Sequence, residues 1–391
     1  MTRKPRLLFL VTEDWYFLSH RLPIARAARD AGAEVLIATR FSHHHAAIAA
    51  EGFKILPLKW ERGGQNPFQE LRTVFQLAVL YYRWRPDLVH HVAIKPILLG
   101  SLSAWVVGFW GVRPQVINAV TGLGYFFISP KSRLSWLIYR LLSFALNRPR
   151  TTLILQNKDD HATLLQNGLL HHDRIRLIRG SGVDLDEFPF MPLPEGPPIA
   201  ALVARMLSDK GIYETVEAAR MLRDQGVNLK IYLVGPTDPA NPAAISSRML
   251  EAWTKEGIIS WLGPRQDVSA IWKEAAIAVL PSYREGLPKA LLEAASCGRP
   301  IVATDAPGCR EICHSDETGL LVPVGDAEAL AAALARLAKD PSLRHRLGIS
   351  ARRLVEQEFS TTRVIEQTLD LYHHLIPGQL TKSPMTNPHR S

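Results

Sequence analysis

Cysteine is nearly absent from this chain of 391 residues. Cys297, Cys309 and Cys313 are the whole set, and all fall in the second half. So small and odd a number builds no disulfide framework and points to a reducing compartment. Cys309 and Cys313 stand one helical turn apart, but no second pair completes a zinc set, so no metal site is expected. Long apolar runs are also missing. After the basic start MTRKPR only about five apolar residues precede Glu13 and Asp14, too short for a secretion signal and right for a buried strand. The longest uncharged stretch, PILLGSLSAWVVGFWGV at 96–112, holds three glycines. It falls short of the ~20 residues a spanning helix needs, so it reads as a buried or surface-dipping helix. The histidine runs His43 to His45 and His171-His172 read as solvated rather than as metal ligands.

Acidic residues are scarce in one half only. Residues 1–190 hold 24 Lys and Arg against 14 Asp and Glu, a net +10, whereas the rest hold 22 against 23. A one-sided basic surface implies an anionic partner: nucleic acid, an acidic membrane or a diphosphate-bearing substrate. No helix-turn-helix, zinc or RNA-binding signature accompanies the charge, so a nucleic-acid partner is not expected.

What is present is a repeating scheme. Apolar residues make up 47% and charged residues 21%, the balance of a folded protein, and the length predicts two domains. Short apolar runs (RLLFLV, AEVLIAT, FKILPL, DLVHHVA, QVINAV, TTLILQ, RIRLI) alternate with helical patterns, and PIAALVAR, NLKIYLVG, GIISWLG, AIAVLPS, PIVATD and TGLLVPV repeat the scheme. That alternation predicts parallel sheets covered on both faces, an α/β chain of two tandem doubly wound Rossmann-like domains facing a cleft. The Pro- and Gly-rich stretch at 182–198 marks the boundary. The domains are placed at 1–185 and 186–360, with a C-terminal helix at 361–376 packing back on the first domain and a disordered tail at 377–391.

Ligands of open parallel sheets bind beyond the strand ends, so residues that follow strands are the candidates. In LVARMLSDKG, Arg205 follows a strand and Lys210-Gly211 starts a helix. Two cations and a helix N-terminus suit a diphosphate, although surface charges with a Ser208 or Asp209 cap give the same pattern. In PSYREGLPKALLEAASCGRPIVATD, Glu285 lies in a turn and Glu293 on the helix behind it. Gly286 permits close backbone approach, Pro288 suits a first helical turn, and the amides of Gly286 and Leu287 lie between the glutamates. Carboxylates so placed accept hydroxyl hydrogen bonds of sugars and riboses, or serve merely as a cap and a solvated helix residue.

The segment PSYREGLPKALLEAASCGRPIVATDAPGCREI resembles the signature of glycosyltransferase family 4, retaining enzymes of the GT-B class. Their paired glutamates, eight positions apart, match Glu285 and Glu293, and their donor-gripping Arg and Lys match Arg205 and Lys210 in ARMLSDKG. GSGVDLDEF, LVGP (with Gly235) and WLGPRQDVSAIW resemble further family segments in the same order. The resemblance implies that Glu285 holds the donor sugar, Glu293 the ribose, and Arg205 and Lys210 the leaving diphosphate, with Gly286, Leu287 and Pro288 cradling phosphate or sugar. It implies a nucleotide-sugar donor, UDP-linked, and no metal cofactor.

HRLPIARAARDAGAEV, NPFQELRTVFQLAVLYYRWRPDLVHHVAIKP and VTGLGYFF are similar to the branch that extends undecaprenyl-diphosphate-linked sugars, with N-acetylgalactosaminyl and related hexosaminyl transferases among its members. That implies a polyprenyl-diphosphate-linked acceptor and a protein held peripherally at the cytoplasmic face of the membrane. The stretch at 130–150, with five Lys and Arg, no acid, and Trp136, Leu137, Tyr139, Leu142 and Phe144, reads as an amphipathic helix for an anionic membrane surface. The chain departs from the family in its first domain. A VTEDWYFLSHR turn replaces Gly-Gly, and AVTGLGY offers Thr121 and Gly122 but no histidine. Glu13, His20, Arg21 and His91 are the nearest acceptor-side candidates, and no base is assigned among them. A nucleotide-sugar epimerase of the same architecture and a non-catalytic sugar-binding protein are the alternatives.

Overall fold

A computed structural model describes residues 3–60, 67–123, 133–170 and 174–381. The described chain forms two compact units, residues 1–181 with 364–391 and residues 182–363.

In the first unit the apolar runs become seven parallel strands: β1 (Arg6–Glu13), β2 (Glu34–Arg40), β3 (Lys54–Pro57), β4 (Leu88–Val92), β5 (Gln115–Ala119), β6 (Thr151–Leu155) and β7 (Ile175–Leu177). They lie in the order β3-β2-β1-β4-β5-β6-β7. Strand β1 shows why the sheet is buried on both sides. Leu7, Phe9 and Val11 enter one core, and Leu8 and Leu10 enter another beneath helix Pro67–Trp84. The two-residue period of a strand deals its side chains to alternate faces.

The helix expected from Ser19 to Ala31 is two helices, Asp14–His20 and Leu22–Asp30. Arg21 leaves helical geometry at φ −127°, and Pro23 falls in the first turn of the second helix, where a missing N–H costs nothing. Helix Thr361–Leu375 buries Val364, Leu369, Leu371 and Tyr372 in the same core as Leu7 and Phe9. The ordered chain also runs past 377, where a disordered tail was expected to begin. Leu380 is buried, and Thr381 donates from its N–H to Ala31 O at 2.9 Å. The remainder of that tail lies outside the described residues, as do His171 and His172.

The second unit repeats the plan with β8 (Ile199–Val203), β9 (Lys230–Val234), β10 (Ser260–Trp261), β11 (Ile277–Leu280), β12 (Ile301–Thr304) and β13 (Gly319–Val322), in the order β10-β9-β8-β11-β12-β13. The Pro- and Gly-rich stretch at 182–198 is not a free linker. Val183 N donates to Phe359 O, Phe188 is buried in this core, and Met191 N donates to Cys297 O. The Asp184 and Asp186 pair is an Asx turn, in which Asp184 Oδ1 accepts from the N–H groups of Asp186 and Glu187. All three cysteines are buried thiols.

Candidate active site

The second unit assembles its charged residues at the ends of β8 and β11. Chain leaving β8 turns at Arg205, makes a short 3-10 turn at Ser208–Lys210, and enters helix Ile212–Asp224 through Gly211. Lys210 therefore stands before the helix rather than at its start. Gly211 is left-handed (φ 72°), and a Cβ there would lie 2.2 Å from Pro281 O. Only glycine fits a site that combines that backbone geometry with that contact. The close approach lets two loops zip together. Tyr283 N donates to Asp209 O at 2.9 Å, and Ser282 Oγ lies 3.0 Å from the same carbonyl.

That zipper brings Lys210 to Glu285, with Nζ 2.5 Å from Oε1. Ser282 Oγ sits 2.8 Å from the same carboxylate oxygen, and Thr304 donates to Ser282 O from the next strand. The Glu285 turn is held from behind as well. Its N–H donates to Pro307 O at 3.0 Å, and a Cβ on Gly308 would meet Glu285 O at 2.6 Å. Gly286 and Pro288 are buried in this turn, and Leu287 packs partly against the core. Arg205 pairs through Nη1 with Asp238 Oδ2 at 2.6 Å. Gly235 ends β9 at φ 143°, where a Cβ would lie 1.9 Å from Ala204 O, next to Arg205.

Glu293 is set differently. It lies in helix Lys289–Ser296, is 7% exposed, and has Lys289 Nζ at 3.5 Å. Burial pushes its carboxyl up to about 7, against the opposing pull of Lys289. The two glutamates thus have separate partners: Glu285 pairs with Lys210 at a strand end, and Glu293 faces Lys289 from the buried side of a helix, its carboxyl raised by burial. Sequence spacing shows neither difference.

The first unit places its candidates less tightly. Thr121 and Gly122 (φ 121°) follow β5 and are partly exposed. His20 ends a helix, stacked on Tyr16 at 4.1 Å, with Ser19 Oγ 2.6 Å from Nδ1. Arg21 is buried and donates to Gly180 O at 3.3 Å. His91 is corrected outright as a substrate contact. It lies within β4, fully buried, between Asn118 (2.9 Å to Nδ1) and the Tyr81 hydroxyl (3.0 Å to Nε2). Burial drives its pKa down to about 4. Gly100 makes room for the ring, since a Cβ there would lie 2.4 Å from Nε2.

Sequence reasoning missed Asp238, Ser282, Gly308 and Tyr283, whose hydroxyl donates to Glu214 at 2.6 Å. That bond pushes the Tyr283 hydroxyl up to about 12. The visible signals were a Gly after Pro in APGCREI and an Asp after Gly-Pro in GPTDP.

Two carboxylate–cation contacts therefore stand on the strand-end edge of this Rossmann-like unit. Residues 185–354 match the glycosyl transferases group 1 family, and residues 6–158 match the glycosyl transferase 4-like family. The chain belongs to the glycosyltransferases that carry these two domains, and it has the two parallel Rossmann-like sheets of the GT-B class. It is 28% identical to the N,N'-diacetylbacillosaminyl-diphospho-undecaprenol alpha-1,3-N-acetylgalactosaminyltransferase of Campylobacter jejuni, over 92% of this chain and 98% of that one. With the UDP-Gal:alpha-D-GlcNAc-diphosphoundecaprenol alpha-1,3-galactosyltransferase of Escherichia coli it shares 24% identity, covering 79% of this chain and 80% of the relative. A sucrose-phosphate synthase from Thermosynechococcus elongatus has the same fold, with a TM-score of 0.77 at 21% identity over 95% of this chain and 99% of that one. These matches give no support to an epimerase.

Proposed function

We propose that this glycosyltransferase moves a hexose or N-acetylhexosamine from a UDP-sugar to a polyprenyl-diphosphate-linked saccharide, with retention at the anomeric carbon, during assembly of a bacterial glycan. The contact of Lys210 with Glu285, beside Arg205, carries the reading. A nucleoside diphosphate leaving group gains charge as the glycosidic bond breaks, and fixed cations at that point lower the barrier. Arg205 and Lys210 take that role, so the reading assigns no metal ion to the leaving group. Both cations hold carboxylates at present, which positions them before the donor arrives.

Glu285 accepts hydroxyl hydrogen bonds of the donor sugar. Glu293 accepts from ribose hydroxyls, and in its protonated form, which burial favours, it also donates to them. In the reaction the C1–O bond to the diphosphate breaks, and the acceptor oxygen bonds to C1 on the same face. The acceptor proton passes to the departing phosphate oxygen, so no dedicated base is needed. The acceptor class rests on the two relatives whose names carry undecaprenol-linked substrates and on the net +10 of residues 1–190. An anionic lipid substrate is also what supports a position at the cytoplasmic membrane surface.

The test is incubation with a panel of labelled UDP-sugars and a polyprenyl-diphosphate-linked saccharide. Label should enter the lipid phase only when the acceptor is present. Label released to water at the same rate without acceptor refutes the reading.

A further inference from the structure

Helix Pro67–Trp84 buries Thr73, Val74, Leu77, Ala78 and Tyr81 along one side. A second stripe, flanking the buried one, is apolar too. Phe68 is 83% exposed, Leu71 66%, Phe75 71% and Tyr82 47%, at spacings of three, four and seven that keep them on one stripe. An ordinary surface helix carries polar residues there. At 1.5 Å per residue the helix is about 27 Å long, so the stripe is a substantial surface. Helix Ile94–Gly108 packs beside it and adds exposed Trp105, followed by exposed Phe109 and Trp110. Phe144 of the next helix, Arg133–Leu146, meets Trp105 at 5.8 Å, with the Arg148 guanidinium 4.8 Å from its own ring. Nine of the 17 large apolar side chains exposed among the described residues belong to this one layer.

Charge on the layer has one sign. Residues 67–113 and 133–150 hold nine Lys and Arg against Glu70 and Asp87. Both acids are already paired, Glu70 with Lys95 at 2.6 Å and Asp87 with Arg3 at 2.8 Å. A groove of about 740 Å³ runs beside the stripe, with Phe68 and Phe75 lining it together with Lys59 and Arg72.

We infer that this layer, centred on the outer stripe of helix Pro67–Trp84, seats the first domain on an anionic bilayer. The inference rests on the lipid-linked acceptor proposed above and locates the surface that meets the lipid. Aromatic rings interleaved with unbalanced cations suit a bilayer interface, where rings enter the acyl boundary and arginines reach anionic head groups. None of the described helices is long and apolar enough to cross a membrane, so this contact is one of lying on the surface. Helix Arg133–Leu146 is only the margin of the seat. Its Leu142, Ala145 and Leu146 turn into the core, and Leu137 and Leu141 remain outside.

The test uses the full chain with vesicles of phosphatidylcholine, alone or mixed with phosphatidylglycerol, and two variants at exposed positions, F68S/L71S/F75S and L137S/L141S. Wild type should sediment with the phosphatidylglycerol vesicles and not with phosphatidylcholine alone. The triple variant should lose about a hundredfold in partitioning, the scale of withdrawing three apolar side chains from the interface. L137S/L141S should lose less, and both variants should keep the wild-type rate on a short-chain acceptor free in solution. Undiminished vesicle binding by the triple variant overturns the inference. So does a wild type that is dimeric in solution, keeps that state on vesicles and becomes monomeric in the triple variant, since a second copy would then cover the face. Absence of transfer to any acceptor would refute the proposed activity, and the vesicle result would still decide the seat.

Discussion

The two domains share one strand order and put it to opposite uses. In the second, the strand ends are pinned by glycines that no other residue could replace, and the charged side chains that follow are held in pairs. Gly211 packs on Pro281, Gly235 on Ala204, and Gly308 on Glu285, and these contacts fix Lys210, Arg205 and Glu285 in turn. In the first, Asp14 just past β1 accepts from Trp15 N, Ser42 N, Ser42 Oγ and His44 N, and two histidines find partners inside the sheet. His90 meets the Tyr372 hydroxyl at 2.7 Å, and His91 meets Asn118 and Tyr81. A shared order of six strands, with a seventh added in the first domain, therefore yields paired charges at the strand ends of the second domain and, in the first, buried histidine partners inside the sheet and an outside that carries the exposed rings and unbalanced cations.

The largest effect should separate the domains by function. Lys210→Ala or Arg205→Ala should cut transfer about a hundredfold, the scale of losing one charge-stabilising group, with thermal stability little changed. His91→Ala should do the reverse, lowering stability while a folded sample retains transfer; an equal loss of rate in both would erase the contrast. Next comes Gly308→Ala. Its left-handed backbone and the 2.6 Å approach to Glu285 O predict a cost of a few kcal/mol, visible as a lowered melting temperature, with a further loss of rate.

Tyr372→Phe should cost about 1–3 kcal/mol, because it leaves buried His90 without its hydroxyl partner. Urea denaturation at neutral pH measures it.

The smallest effect carries the clearest sign. Burial lowers His91 to about 4 and His90 well below its ordinary value, so the unfolded chain binds those protons first. Stability from them rises with pH between about 4 and the ordinary histidine value near 6.5. Glu293 is raised to about 7, so the folded chain holds that proton longer, and its contribution falls as pH climbs from about 4.5 to 7. Glu293→Gln should therefore steepen the net rise of stability with pH across that window, read from melting temperatures. An unchanged profile would show that Glu293 titrates normally.

Much of the architecture was legible, because parallel strands buried on both faces read as continuous apolar runs, and each such run became a strand. The strand-end positions of Arg205, Lys210 and Glu285 were legible too, since each follows an apolar run. Their contacts were not. The Lys210–Glu285 pair spans 75 positions and depends on Gly211 and Ser282 closing two loops together, which no local pattern records. His91 misled because a polar residue near the end of an apolar run looks like a strand-end group. Only the tertiary partners Asn118, Tyr81 and Gly100 make it an interior one. The apolar stripe of helix Pro67–Trp84 was hidden because that sequence is apolar on two sides, and periodicity does not say which side the sheet takes.

The central claim is that Arg205 and Lys210 grip the second phosphate of the donor. Titration calorimetry of UDP and UMP into wild type and Lys210→Ala tests it most directly. The account predicts that wild type prefers UDP and that the variant loses most of that preference while its affinity for UMP is kept. Equal weakening toward both nucleotides, or no weakening toward either, would contradict it.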